Sequence, residues 1–179
     1  MRARAVVVFR RAGCSLAFAA ALAACSSTGD NESRVLTMGP SVGAHLTPKG
    51  GSPVKGLILF RRRDGGATMV VQLHDVVPGP YRIAIHTTGN CSSPNTFSAG
   101  PPWAPPGGVP QVYAGTAGNT GLLMMTASLD GVAVDGPDGI LGKAVVVHQG
   151  LAGPLDAQPG VPNNRIACGV IENIASHEF

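Results

Sequence analysis

The chain has 179 residues, with 13 Lys and Arg against 10 Asp and Glu and a formal net charge of +3. That length suits one domain with a real core, and 25 Gly with 15 Pro argue against a mostly helical protein. The positive balance points to no nucleic-acid partner, because Arg2, Arg4, Arg10 and Arg11 all lie in the first 24 positions.

Those four arginines precede a short apolar run, Ala12 to Ala21, that ends in Leu22-Ala23-Ala24-Cys25. Residues 1–24 therefore read as a secretory signal, too short and too Ala-rich for a spanning helix. Small residues just before a cysteine are the pattern of a bacterial lipoprotein signal, so cleavage is expected before Cys25 and lipid on its sulfur. Acyl chains anchor a protein to a membrane at about 0.8 kcal/mol per buried methylene. Ser26, rather than an aspartate, follows, so the expected location is the bacterial envelope, on the outer membrane facing the periplasm. Without the signal, nine basic residues face ten acidic ones, a net charge of −1.

Residues 25–53, rich in Ser, Gly, Thr, Asn and Pro, read as a lipidated flexible tether, ending in a short strand near Val42 to Leu46. Residues 54–179 form the expected domain. Gly56 to Arg61 and Ala67 to Leu73 flank a turn at Asp64-Gly65 and predict a hairpin. Further strands are predicted over Tyr81 to His86, Gly121 to Leu129, Lys143 to His148 and Arg165 to Ile171. The Pro-, Gly- and Ser-rich stretch from Cys91 to Gly121 reads as a long loop, and a loop of that length in a compact domain usually marks a site or a former one. No amphipathic helix is evident. The fold class is all-β, a Greek-key barrel or sandwich. With Cys25 lipidated, Cys91 and Cys168 form an even pair in an oxidising compartment, where a disulfide is the default.

Three segments, in this order, resemble copper-zinc superoxide dismutases. Pro78-Gly79-Pro80-Tyr81-Arg82-Ile83-Ala84-Ile85-His86 is similar to that family's histidine-bearing strand, and Cys91 stands where its bacterial members place a disulfide cysteine. Cys91 to Pro105 resembles the metal loop. Gly142-Lys143-Ala144-Val145-Val146-Val147-His148 and Arg165-Ile166-Ala167-Cys168-Gly169-Val170-Ile171 resemble the last two strands. The resemblance covers Val54 to Ile171. It implies copper at His86 and His148, a disulfide between Cys91 and Cys168, and Arg165 as the guide for an anionic substrate.

It also implies losses. Ala84 stands at the position of one copper histidine and Pro102 at that of the histidine bridging copper to zinc. Tyr113 and Thr116 are the best matches to a zinc histidine and the zinc aspartate, so no zinc is expected. Nor does any carboxylate among Gln149 to Gly153 match the family's outer-shell aspartate. A redox copper needs several imidazoles, and two of four remain. The expectation is an envelope lipoprotein of superoxide dismutase type whose dismutation is lost and which serves as a binding or structural module. The alternative is a residual copper-only site at His86 and His148, giving copper binding or weak dismutation. Which of these applies, and so whether the chain is an enzyme, the residues leave open.

Several residues carry two readings. Arg165 steers an anion or pins the disulfide-linked loop by donating to carbonyls, and the second suits a site without metal. Arg61, Arg62 and Arg63 are a solvated hairpin end or a contact to anionic lipid head groups. Trp103 and Tyr113 line a groove or cap the end of the barrel. His45, His74 and His177 match no ligand position and read as solvated. A homodimer is compatible with the resemblance.

Overall fold

A computed structural model describes residues 41–151 and 164–174. The expected signal peptide at 1–24, Cys25, and most of the tether lie outside the described residues, as does His177. Among the described residues nine strands and one short 3-10 turn follow in the order β1 (Ser41–Pro48), β2 (Lys55–Arg63), β3 (Gly66–His74), β4 (Gly79–His86), the turn Phe97–Ala99, β5 (Val112–Ala117), β6 (Leu122–Asp130), β7 (Ala144–Gln149), β8 (Arg165–Val170) and β9 (Glu172–Ile174). Every pairing is antiparallel, and the strands follow the order β5-β4-β7-β8-β1-β2-β3-β6, with β9 beside β1. The crossings from β3 to β4 and from β6 to β7 make this a Greek key, a nearly closed all-β barrel as expected.

Side chains alternate across each strand, so every second residue enters the barrel. Val42, Ala44 and Leu46 of β1, Ile58 and Phe60 of β2, Met69, Val71 and Leu73 of β3, Tyr81, Ile83 and Ile85 of β4, and Val145 and Val147 of β7 share one core. The short strand expected near Val42 to Leu46 forms, and it belongs to the barrel although it was placed at the end of the tether. Ser41–Pro48 is a strand near the middle of the sheet, paired with β2 on one side and with β8 and β9 on the other. His45, expected in that tether, is an exposed residue of β1.

Between β5 and β6 no backbone ladder occurs among the described residues. Side chains fill that seam instead: a Cβ on Gly115 of β5 would lie 2.7 Å from Met125 Sδ, with Leu123 beside it. Tyr113 and Met125 pack onto the core there.

The predicted hairpin forms with full pairing from Lys55↔His74 to Arg63↔Gly66. Its two strands approach so closely at Gly56 that a Cβ there would stand 2.1 Å from the Gln72 carbonyl oxygen. Gly56→Ala is therefore expected to cost about 1–3 kcal/mol through forced displacement of β3, read as a lower denaturation midpoint. A midpoint equal to that of the parent would show that the strands absorb the methyl group. At the far end, Arg62 makes a two-pronged contact to Asp135, at 2.5 and 2.7 Å, and Arg63 pairs with Asp130. The Arg62 contact holds the Asp135 carboxyl below its ordinary range. Among the described residues only Arg61 of the three arginines stands outside an ion pair.

Candidate metal centre

The alternation that sends Tyr81, Ile83 and Ile85 inward turns Arg82, Ala84 and His86 to the other face of β4. In the β4–β7 register Arg82 opposes His148, Ala84 opposes Val146 and His86 opposes Ala144. On the next strand, β8, His148 opposes Arg165 and Val146 opposes Cys168. Arg165 and Cys168 share that face, although they are three residues apart, because the ladder shifts by one between Val147 and His148. Ile166 is the extra residue of this β-bulge, and it packs with Ala167 into the main core.

The Cys91–Gly121 stretch covers this outer face. Thr87 N–H donates to the Pro101 carbonyl, Thr88 N–H to Ala99 and Trp103 N–H to Ile85, so residues 99–103 run back along the end of β4. Cys91 and Cys168 form the expected disulfide, with Cα atoms 5.7 Å apart. Cys168 packs with Ala99, Ala144 and Val146 in a small second cluster, with half-buried Cys91 against it. Arg165 is buried, donates through Nη1 to the Thr96 carbonyl at 3.1 Å and sits over the Phe97 ring. Its guanidinium thus ties the loop to the barrel beside the disulfide.

His86 and His148 are both completely buried, and their Nε2 atoms lie 3.4 Å apart. The Nδ1 of His86 is 2.7 Å from the Gly100 carbonyl oxygen, which only accepts, so that nitrogen carries the proton. Gly100 itself has φ +74, and a Cβ there would meet Thr87 Oγ1 at 2.5 Å, so this carbonyl can be presented only by glycine. On the other side, Asn164 Nδ2 donates to the Gln149 carbonyl at 3.2 Å, which turns its Oδ1 toward His148 Nδ1, also at 3.2 Å. His148 therefore donates from Nδ1. In their neutral forms both rings keep a lone pair on Nε2, and these two nitrogens face each other.

Two facing acceptors repel unless a proton or a metal cation lies between them. Burial, above all, lowers the His148 pKa to about 3; the Asn164 hydrogen bond opposes this, and the nearby His86 ring and the Arg165 and Arg82 guanidinium groups add to the disfavour of a second positive charge. A proton is therefore a poor occupant. The donor set suits a copper ion held by two neutral imidazoles, as in cuprous sites, and His86 Nε2 and His148 Nε2 would hold it. Zinc takes four ligands, and among the described residues no group of three or more His, Cys, Asp or Glu converges.

The other positions of interest lie elsewhere. Ala84 is buried beneath the loop, and Pro102 pairs through its backbone with His86, supplying no donor atom. Tyr113, set against the zinc histidine in the sequence, opposes Ile83 and so faces the barrel interior. Its hydroxyl donates to Gln111 at 2.5 Å, and burial pushes its pKa up to about 12. Trp103 joins the core, with Lys143 Nζ 5.2 Å from its ring. His74 is half-buried and bonds to Gln72. Two residues at the centre escaped the sequence reading. Arg82 lies in the stretch that resembles the ligand strand, and its place opposite His148 follows only from the register. Asn164, on the eve of β8, carried no signal of its own.

A family model described as copper/zinc superoxide dismutase matches residues 54–171. That is most of the described barrel, including both buried histidines and the disulfide. Members of this family usually carry copper and zinc, and the chain belongs to the copper/zinc superoxide dismutase family.

Proposed function

We propose that this is a member of the family that has given up dismutation and instead holds one monovalent copper ion between His86 and His148, as a copper-binding module lipid-anchored through Cys25 in a bacterial envelope. The carrying observation is the pair of buried imidazoles whose Nε2 atoms converge to 3.4 Å with both Nδ1 protons committed elsewhere. Charge supports the monovalent ion: Arg82 and Arg165 stand on either side of His148 in one cross-strand row, so each added positive charge meets two nearby guanidinium groups.

Bound copper supplies one-electron redox chemistry. This chain provides the two neutral donors, a cover that keeps water from them, and the arginine row. It offers no imidazole at Pro102 to return a proton to a reduced oxygen species, which is why turnover is not part of the proposal. The hairpin arginines add little to any membrane contact, since Arg62 and Arg63 already face carboxylates.

The test is metal loading of the full chain with Cu(I) under ascorbate, followed by gel filtration and elemental analysis. One copper per chain is expected, lost in the His86→Ala, His148→Ala double variant, with superoxide removal at the uncatalysed rate. Copper-free protein after loading, or dismutation that vanishes in the double variant, would defeat the reading.

A further inference from the structure

We propose that Asn164 is a positioning residue that locks His148 in the Nδ1–H tautomer and so keeps its Nε2 lone pair aimed at His86. The inference rests on the reading of His86 and His148 as the copper pair. An asparagine amide presents either an acceptor or a donor to a neighbour, and its orientation decides which ring nitrogen of a facing histidine holds the proton. Here the Gln149 carbonyl makes that decision. It lies 3.2 Å from Asn164 Nδ2 and can only accept, so the amide cannot turn over without setting two oxygens against each other. The remaining Oδ1 lies 3.2 Å from His148 Nδ1.

The lock matters because the alternative tautomer has a ready partner. If His148 carried its proton on Nε2, that N–H would face His86 Nε2 across 3.4 Å and donate to it. One proton move would then turn two repelling acceptors into a hydrogen bond and withdraw both lone pairs from any metal. On the opposite side, His86 is held in its own Nδ1–H form by the Gly100 backbone carbonyl at 2.7 Å, which no side-chain replacement removes. The two halves of the site are therefore set by different means: one by the main chain, the other by a single amide. Asn164 is the point at which substitution can switch the pair from metal-ready to self-bonded.

The experiment uses the full chain labelled with 15N at histidine, kept free of metal, with long-range 1H–15N correlation of the imidazoles at neutral pH. The parent protein is expected to show His148 protonated at Nδ1 and unprotonated at Nε2. In Asn164→Ala the proton is expected on Nε2, with Ag(I) affinity, measured by titration as a redox-silent stand-in for Cu(I), falling at least tenfold. A packing role alone would lower the unfolding midpoint of Asn164→Ala without moving the proton. An Nε2–H tautomer in the parent, or an unchanged tautomer in Asn164→Ala, overturns the inference. If the alanine variant does not fold, the parent spectrum alone decides. A parent that shows the locked tautomer but takes up neither ion leaves the lock standing and removes the copper reading.

Discussion

Replacing Cys91 and Cys168 together by Ala is expected to lower the thermal midpoint by about 10–20 °C. The bond joins residues 77 apart, and on the chain-entropy account closing a loop of that length is worth about 4 kcal/mol. The disulfide has a second role in this fold. It fastens the covering loop to β8 at a point where Cys168 is fully buried among Ala99, Ala144 and Val146. Freed from it, the loop retains Arg165 on the Thr96 carbonyl and the short run of backbone bonds along β4. Alanine is the substitution of choice because the pocket around Cys168 is apolar and a serine hydroxyl would be left without a partner there. Differential scanning calorimetry at neutral pH reads the effect; a shift under about 3 °C would show that the arginine and the backbone bonds hold the cover without help.

Acid is expected to destabilise the metal-free protein by about 2 kcal/mol between pH 7.5 and pH 5, through His148 alone. The sign follows from linkage. In the unfolded chain this imidazole takes up a proton near its ordinary value of 6.5, whereas in the barrel its pKa is held at about 3. As pH falls below 6.5, the unfolded state binds a proton that the native state refuses. Stability is therefore full above 6.5 and declines until pH approaches 3, at a limiting slope of about 1.4 kcal/mol per pH unit. Urea midpoints measured in a chelating buffer at pH 7.5, 6 and 5 should fall for the parent and fall much less for His148→Gln. Parallel curves for the two proteins would mean that the buried imidazole is protonated in the native state, and would sink the assignment of two neutral donors.

Much of the barrel can be read from the chain because its strands announce themselves. Gly56 to Leu73 alternates, carries turn chemistry at Asp64-Gly65, and folds as the hairpin so predicted. The segments around Tyr81, Leu123, Val146 and Cys168 behave likewise. What escaped has a common cause. The strand expected near Val42 to Leu46 forms as Ser41–Pro48, but its place between β2 and β8 was not legible, because it depends on neighbours on both edges rather than on local preference. Val112–Ala117, with its Ala and Gly, is held by β4 and by side chains across the seam, and the surrounding prolines hide it. Glu172–Ile174 is three residues long and exists only because β1 extends beside it.

For the site, the two histidines were legible from family likeness, as were the cysteines. Their relation was not. That the two Nε2 atoms meet depends on the β4–β7 register, on a glycine carbonyl fourteen residues beyond His86, and on an asparagine sixteen residues beyond His148. Arg82 entered only because an antiparallel pair sets it against His148. Such long-range relations have no one-dimensional signature.

The bulge at Ile166 gives β8 a split allegiance. Toward its start the strand shows Arg165 outward, and toward its end Cys168, with one surplus residue absorbing the change of phase. Were the chain one residue shorter there, the guanidinium or the sulfur would have to turn into hydrocarbon, and the cover would lose either its hydrogen-bonded rivet or its covalent one. A length difference of a single amino acid thus decides whether both fasteners can serve the same lid.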